Sequence, residues 1–271
     1  MRVAVVGHVE WIRFCRVERM PRAGEIAHSY ESWEQAGGGG GVAAIQLAQL
    51  AGEATLYTAL GDDELGRQSR RELEARGVRV HAAVVREPQR WAFTHVDELG
   101  ERTITTVGRK LRPRGNDDQL PWHELADADA VFFVAGDEDA LLRARRARVL
   151  TATTRELDVL RRGAAPLDAL VGSGKDEAER YHPGDLEPPP ALVVSTAGAL
   201  GGWTQPGGPY SAVAPPGPVV DAYGAGDCFA AGLTYALAAG LAAADAVAFA
   251  ARCGAAALTG RGVAPQRVEL P

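Results

Sequence analysis

Residues 220–232 read Val-Asp-Ala-Tyr-Gly-Ala-Gly-Asp-Cys-Phe-Ala-Ala-Gly and lead into an apolar stretch that continues through Leu237. Three small residues at positions 224–226 open the predicted helix, so its first backbone N–H groups are unpaired and a ligand can approach them closely. The same helix end carries roughly half a positive charge. Together these features predict an anion site suited to a phosphate group.

Asp227 falls in the first turn of this helix and would place a carboxylate beside the bound anion. A carboxylate in that place can accept the proton of a hydroxyl during phosphoryl transfer. It can also do no more than complement the helix dipole. The residues alone leave both interpretations open.

The segment resembles the second motif of the phosphofructokinase-B (PfkB) carbohydrate kinases, the ribokinase-like family, whose form is Asp-Thr-x-Gly-Ala-Gly-Asp-x-Phe-x-x-Gly. The matching residues are Asp221, Gly224, Ala225, Gly226, Asp227, Phe229 and Gly232, while Ala222 stands in place of the usual Thr. The resemblance implies that Asp227 is the catalytic base and that the amides of residues 224–226 form an anion hole. It also implies ATP as phosphoryl donor and Mg²⁺, and it leaves a monovalent cation open.

Short apolar runs alternate with helical patterns along the chain, which indicates βαβ units and a doubly wound, mostly parallel sheet. The predicted strands are Arg2–Gly7, Ala54–Ala59, Ala130–Ala135, Arg148–Thr153, Ala169–Gly172 and Leu192–Thr196. The predicted helices lie near Val42–Ala51, Asp63–Arg76, Glu138–Arg146, Lys175–Tyr181, Ala225–Ala239 and Ala242–Leu258. With the resemblance, the expected fold is a ribokinase-like three-layer α/β/α sandwich in one domain over residues 1–271.

Two stretches, at about 10–34 and 84–108, interrupt this alternation and are predicted to be extended. The second contains a predicted hairpin, with arms at Trp91–Val96 and Arg102–Val107 joined by a turn at residues 97–100. Such strands could be an edge hairpin that serves only packing. The resemblance implies instead a small β-strand lid over a binding site.

The nucleotide side is predicted from two further segments. Thr196, Gly198 and Gly201 lie at the end of a strand and just after it, and they resemble the family's Thr-x-Gly-x-x-Gly loop. Its glycines let the backbone run beside phosphates, and the Thr196 hydroxyl can donate to one. The glycines could also serve only a turn from strand to hairpin. The alanine-rich stretch that contains Cys253 and Ala256 could leave a flat apolar slot for adenine, or it could serve only helix packing.

Glu177 keeps the glutamate of the family's Asn-x-x-Glu motif and is a candidate to order water around Mg²⁺. Gly174 occupies the Asn position of that motif, so half of the expected pair is absent. The alternative is a charged first turn of a helix.

The acceptor side departs further from the family. Gly39, Gly40 and Gly41 match a glycine-rich segment that could bind hydroxyls, but the usual Asn falls at Ala43, and the expected acidic residue falls at Ile12. Glu10, two residues earlier on the same face of an extended segment, is the candidate substitute. The alternative is a solvated edge residue. Arg109 or Lys110 could meet a phosphate or an anionic substrate, or be exposed loop cations.

The net charge of −6 argues against nucleic-acid binding, which requires a surplus of Lys and Arg. Three cysteines without metal-ligand spacing, and no apolar run of roughly 20 residues, predict a cytoplasmic protein that does not span a membrane. By analogy with the family, a homodimer formed through the lid is expected.

Four function classes follow, and three of them stay open. An ATP-dependent kinase acting on a hydroxyl of a sugar or sugar-like molecule is the leading hypothesis. A nucleoside kinase of the same fold and a non-catalytic ligand-binding or regulatory protein are the alternatives. A dinucleotide-binding oxidoreductase is disfavoured because residues 7–11 read Gly-His-Val-Glu-Trp, without the glycine turn that such a site needs after its first strand.

Overall fold

A computed structural model describes residues 1–270. Its strands in chain order are β1 (Val3–Val6), β2 (Glu10–Arg16), β3 (Glu31–Gly37), β4 (Ala54–Gly61), β5 (Val78–Val85), β6 (Trp91–Val96), β7 (Arg102–Val107), β8 (Ala130–Phe133), β9 (Val149–Thr153), β10 (Ala169–Ser173), β11 (Val193–Thr196), β12 (Gly202–Gln205) and β13 (Gly208–Tyr210). The α-helices are α1 (Gly38–Ala51), α2 (Glu64–Ala75), α3 (Glu138–Ala144), α4 (Leu157–Gly163), α5 (Ala225–Ala238) and α6 (Ala243–Ala257).

Nine strands form one large sheet in the order β13-β12-β11-β10-β9-β8-β1-β4-β5. The seven strands from β11 to β5 in this order are parallel, and only β12 and β13 at one edge are antiparallel. The order reverses at β1, which lies between β8 and β4. This is the doubly wound arrangement that the alternation of elements predicted.

Both faces of the large sheet are covered by helices. Neighbouring side chains in a strand point to opposite faces of the sheet, so successive residues of β1 belong to two different clusters of buried apolar residues. Val5 belongs to the cluster with residues of α1, α5 and α6, and Val6 belongs to the cluster with residues of α3 and α4. The three-layer α/β/α prediction is therefore confirmed.

A small sheet of four strands, in the order β3-β2-β6-β7, packs beside the large one. The predicted hairpin is present with the predicted arms, since β6 and β7 pair antiparallel with Phe93 opposite Thr105. Its turn is closed by Asp97, whose carboxylate accepts the N–H of Leu99 at 2.9 Å and that of Glu101 at 3.0 Å.

The tip of this hairpin is joined to the segment that precedes α5. The N–H of Ala222 donates to the carbonyl of Gly100 at 3.0 Å, and the Arg16 side chain of β2 donates to the carbonyl of Val220 at 3.1 Å. The small sheet and the start of α5 are therefore in direct contact.

Several elements differ from the prediction. Residues 84 and 85 belong to β5 of the large sheet, which was not predicted, and α4 was not predicted either. The expected helix at 175–181 is only a 3-10 turn at Glu177–Glu179. The proline- and glycine-rich stretch 201–218, predicted as a connection, contains β12 and β13.

The three cysteines are buried and unpaired. None of the helices within residues 1–270 combines the length and the apolar character that crossing a membrane requires.

Candidate active site

A cavity of about 1190 Å³ opens at the carboxyl ends of the central parallel strands, where the large sheet meets the small one. Ends of parallel strands at a point where the strand order reverses are the usual place for ligands in such sheets. The wall combines the start of α5, the ends of β10 and β11, one face of α6 and the hairpin of the small sheet.

The start of α5 presents backbone N–H groups to this cavity. Gly224 precedes the helix with a φ of 75°, in the left-handed region that favours glycine. An added Cβ at Gly224 would lie 2.8 Å from Val42 Cγ1, whereas one at Gly226 would meet no atom within 4 Å. Gly224, Ala225 and Gly226 all line the cavity, as the motif predicted.

Asp227 lines the cavity beside them, and its carboxylate makes no hydrogen bond to any residue in the described part of the chain. Burial raises the pKa of Asp227 above its ordinary value, and the nearby Arg155 and Arg102 oppose that shift. A Cβ added to Gly39 would lie 3.2 Å from Asp227 Oδ1. The carboxylate therefore faces the glycine segment on which the acceptor was expected.

Asp221 and Tyr223 hold the segment that precedes α5 in place through buried hydrogen bonds. The carboxylate of Asp221 is fully buried and accepts the N–H of Tyr223 at 2.7 Å and that of Gly262 at 2.9 Å. The hydroxyl of Tyr223 accepts the N–H of Gly38 at 3.0 Å. The Gly38 segment and the start of α5 are thus connected through one buried aromatic residue, Tyr223, which no sequence motif singled out.

Of the residues predicted on the acceptor side, Glu10 and Gly39 line the cavity. Glu10 is only 7% exposed, and its carboxylate lies 2.7 Å from Arg90 Nε. Burial raises the pKa of Glu10, and Arg90 opposes that shift. The interpretation of Glu10 as a solvated edge residue is therefore wrong.

Gly40 and Gly41 require a correction, because neither lies on the cavity wall. An added Cβ at Gly40 would lie 2.6 Å from the carbonyl oxygen of His8, and one at Gly41 would face Leu73. Gly40 allows α1 to pack closely, Gly41 would make only an ordinary contact, and the glycines of this segment on the cavity wall are Gly38 and Gly39.

On the nucleotide side, Thr196, Gly198 and Gly201 line the cavity. The Thr196 hydroxyl donates to the carbonyl of Gly172 at 3.3 Å. That hydroxyl proton is therefore already engaged, which weakens the expectation that it donates to a phosphate.

The two residues predicted to form the adenine slot, Cys253 and Ala256, lie on a face of α6 that does not border the cavity. Cys253 is fully buried against Gly232, where an added Cβ would lie 2.8 Å from its sulfur, and Ala256 also lies outside the cavity wall. The wall is formed instead by residues that share one helical face: Ala251, Gly254, Ala255 and Leu258.

The expected metal-supporting glutamate also requires a correction. The side chain of Glu177 is 87% exposed and lies 3.1 Å from Arg180, outside the cavity wall. Asp176 and Glu179 line the cavity instead. Within residues 1–270, no group of three or more His, Cys, Asp or Glu side chains is close enough to bind a metal ion by itself.

Four cationic side chains line the cavity, namely Arg90, Arg102, Arg155 and Lys175. Arg102 and Lys175 have no carboxylate within 4 Å among the described residues. The predicted cations lie elsewhere, since Arg109 faces Glu87 and Lys110 faces the buried Glu156. No sequence motif marks the four, because arginines are frequent throughout this chain.

Comparison with known proteins identifies the family of this chain. The model of the pfkB family carbohydrate kinases matches residues 1–155 and 139–269. The chain is 29% identical over 249 residues to the ATP-dependent ribose-1-phosphate kinase of Halopiger xanaduensis, covering 86% of this chain and 83% of that protein.

Among solved structures, the chain resembles the ribokinase of Thermotoga maritima with a TM-score of 0.77 and 19% identity, covering 98% of this chain and 97% of that one. It resembles the adenosine kinase of Sinorhizobium meliloti with a TM-score of 0.76 and 18% identity, covering 97% and 95%. At these identities the two structures show the fold alone. The family match, which spans nearly the whole sequence, shows that the chain belongs to the pfkB family of carbohydrate kinases and is an ATP-dependent kinase.

Proposed function

We propose that this protein transfers the γ-phosphoryl group of ATP to a hydroxyl of a sugar or sugar-like acceptor, with Asp227 as the general base. The observation that carries the proposal is the Asp227 carboxylate, which has no partner in the described part of the protein, lines the cavity and faces Gly39. A base must reach the proton that it removes, and a carboxylate occupied by a structural partner could not do so.

The steps follow from the surroundings of Asp227. An acceptor hydroxyl lying over Gly39 loses its proton to the carboxylate as its oxygen attacks the γ-phosphorus. The first N–H groups of α5, at residues 224–226, receive the charge that develops on the transferred group. Burial, which raises the pKa of Asp227, makes it a stronger proton acceptor than an exposed aspartate.

Thr196, Gly198 and Gly201 would seat the nucleotide, and Lys175 lies beside them. Asp176 and Glu179 on the cavity wall fit a Mg²⁺ ion that arrives with the nucleotide. Such an ion keeps several waters and needs only one or two carboxylates besides the phosphates. Asp176 is the available carboxylate, because Glu179 is engaged by Arg155. When bound, the ion would neutralise charge on the phosphate oxygens.

The hairpin of the small sheet is proposed as a lid. Arg102, Ile104 and Thr106 of β7 face the cavity, so closure would exclude the water that could otherwise hydrolyse ATP.

The acceptor itself is proposed to carry an anionic group, as in a sugar phosphate. Arg102 lies on the hairpin side of the cavity without a carboxylate partner, and Arg90 lies next to Glu10. Ile12 and Ala43 offer no polar group for a neutral sugar. The name of the relative from Halopiger xanaduensis, a kinase of ribose 1-phosphate, points the same way.

The decisive variant is Asp227→Asn, which keeps the size of the side chain and removes the base. We expect turnover to fall on the order of 10²–10⁴-fold, the usual contribution of a general base, with ATP affinity largely kept. Steady-state kinetics and ATP titrations measure the two quantities.

The matched control is Asp245→Asn, because Asp245 occupies the equivalent third position of α6 and is exposed. It should leave turnover unchanged. Near-normal turnover of the Asp227→Asn variant would refute the base assignment.

The acceptor class is tested by ATP consumption with ribose, ribose 1-phosphate, fructose 6-phosphate and adenosine side by side. Preference for a phosphorylated sugar supports the anionic acceptor, and preference for adenosine would establish the nucleoside kinase instead. If no acceptor consumes ATP but one raises the melting temperature, the protein is a non-catalytic ligand-binding member of its family.

A further inference from the structure

Arg155 lies in a 3-10 turn that directly follows β9, and its side chain lines the cavity. Its backbone position is fixed on both sides. The N–H of Arg155 donates to Thr153 Oγ1 at 3.3 Å. The next residue, Glu156, is 2% exposed and accepts from Arg112 at 2.6 Å. Because Glu156 is anchored in the interior, Arg155 is directed toward the cavity.

Glu179 orients the guanidinium group. Arg155 Nε donates to Glu179 Oε1 at 2.6 Å, and the other carboxylate oxygen accepts the N–H of Ser173 at 3.0 Å. The Glu179 side chain is only 8% exposed. Since Nε alone is engaged, the two terminal amino groups of Arg155 make no hydrogen bond to the described residues, and four donors remain for a ligand.

Arg155 lines the same cavity as the predicted nucleotide loop and Asp227. Its partner Glu179 lies close to Ser173 at the end of β10, next to the predicted nucleotide loop. Burial raises the pKa of Asp227, and among the nearby charges Arg155 opposes that shift most strongly. A cation on the wall that these groups share can meet a phosphoryl group that passes from the nucleotide to the acceptor.

A phosphoryl group in transit carries its negative charge on three equatorial oxygens, and catalysis of its transfer depends on positioning and on opposing charge. The Asn-x-x-Glu pair that would order Mg²⁺ at the phosphates is incomplete here, because Gly174 replaces Asn and Glu177 faces solvent. A cation whose orientation is already fixed needs no reorganisation when the charge develops.

We propose that Arg155 is a further catalytic residue that contacts the γ-phosphoryl group of ATP during transfer, and that Glu179 is the positioning residue that directs it. The proposal deepens the kinase function proposed above and rests on it. Arg155 stays protonated throughout: the bond from the γ-phosphorus to the β,γ-bridging oxygen breaks, the bond to the acceptor oxygen forms, and the acceptor proton passes to Asp227.

The first test needs no acceptor. Calorimetry compares ADP with the β,γ-imido analogue of ATP, which differs chiefly in having the γ-phosphate. We expect Arg155→Gln to weaken binding of the analogue about tenfold, as for loss of a charge-assisted hydrogen bond, and to change ADP binding less than about twofold. Arg155→Lys should lie between the two, because lysine keeps the charge but lacks the fork of donors.

Arg161→Gln is the matched control. Arg161 belongs to α4, lies outside the cavity wall, and its side chain is 52% exposed against 53% for Arg155. It should alter neither affinity. An equal loss for ADP and the analogue, or no loss for either, would overturn the contact with the γ-phosphate, and the Arg155→Lys variant decides the question should Arg155→Gln fail to fold.

The second test uses the acceptor that the substrate panel identifies. Arg155→Gln should lower kcat on the order of 10²–10³-fold. The acid limb of kcat/KM should move to higher pH, because Asp227 loses the charge that most strongly lowers its pKa. Glu179→Gln should lower kcat by a smaller factor than Arg155→Gln does. The double variant should have nearly the same kcat as Arg155→Gln alone, because the two residues act as one unit.

If Arg155 had only a structural role, its substitution would lower the melting temperature but leave the acid limb of kcat/KM at the same pH. That result would overturn the catalytic assignment. Failure of the kinase function itself is distinguishable. In that case Asp227→Asn would leave turnover unchanged, or no acceptor would react, while the comparison of ADP with the imido analogue would still report on Arg155.

Discussion

Asp227 occupies an energetically unfavourable place for an isolated charge. Its carboxylate is half-buried, makes no hydrogen bond to the described residues and has a pKa raised by burial. Groups in such surroundings commonly trade stability for function. Asp221, six residues earlier, has the opposite arrangement: it is more deeply buried, but both of its carboxylate oxygens accept N–H groups.

Stability should therefore rise when the Asp227 charge is removed. A folded-state pKa above the unfolded value of about 3.9 means that the protonated form stabilises the fold. That contribution is present below the unfolded pKa and is lost as the pH rises through the folded pKa. Asp227→Asn should be more stable than the parent protein at about pH 8, and the gain should shrink toward pH 4.

Urea denaturation at a series of pH values measures this difference. Asp245→Asn, which removes an exposed carboxylate from the same helical position of α6, should not reproduce the pH-dependent gain. A loss of stability in Asp227→Asn at about pH 8 would contradict the prediction.

At the scale of the element, the start of α5 contains two glycines with different tasks. Gly224 has a positive φ and packs against Val42, whereas Gly226 faces open space. Gly224 is required by the backbone, and Gly226 leaves room for a ligand.

Gly224→Ala should destabilise the protein by about 1–2 kcal/mol, because a Cβ is disfavoured in the left-handed region and would contact Val42. Gly226→Ala should leave the free energy of unfolding nearly unchanged but weaken binding of the imido analogue of ATP. Thermal unfolding and calorimetry on both variants provide the measurements. Equal destabilisation by the two substitutions would count against this division of roles.

The motif around residues 221–232 predicted this element and its place at the cavity, since local glycine and aspartate chemistry determines both. Periodicity also predicted α6, but it does not report how a helix is rotated. The face that borders the cavity contains Gly254 and Ala255, and the predicted Cys253 and Ala256 lie off that face. The rotation depends on packing of Cys253 against Gly232 of α5, a tertiary contact that a single sequence does not reveal.

The same limit explains the metal-supporting residue. A full helix was expected at 175–181, and the chain forms only one 3-10 turn there, so the acidic side chains are displaced along the segment. Glu179 then faces the cavity and Glu177 faces solvent. Arg155 gave no signal at all, because its orientation depends on Glu179, which is close to it only in the folded protein.

At the scale of the whole molecule, strand order brings together groups that are far apart in the sequence. Gly39 follows β3, Arg102 begins β7 and Asp227 follows Gly224, yet all three line one cavity. The alternation of elements predicted the parallel sheet, whereas β12 and β13 were missed because proline- and glycine-rich sequence is unusual in strands.

The small sheet has an open edge at β7, where every residue is exposed. Phe93 and Val107, on the hairpin face opposite Arg102, are each more than one-third exposed. We therefore expect two copies of the protein to associate through the small sheet, since unpaired edges and exposed apolar residues favour pairing.

Sedimentation should give twice the mass of the chain, and Val107→Lys should shift the protein toward the monomer. Leu142→Lys is the matched control, because Leu142 is 51% exposed on α3, on the far side of the large sheet. A parent protein that sediments as a monomer at every concentration would exclude this assembly.

The hydrogen bond from the Ala222 amide to the Gly100 carbonyl has a consequence for how ligands enter and leave. A backbone hydrogen bond of 3.0 Å tolerates only a few tenths of an ångström of lengthening before it weakens. The hairpin tip therefore cannot swing outward without releasing the residues that set the direction of the first amides of α5. Admission of a substrate and loss of the phosphate-binding geometry would be a single event, so the protein would be least able to attack ATP at the moments when water can reach it.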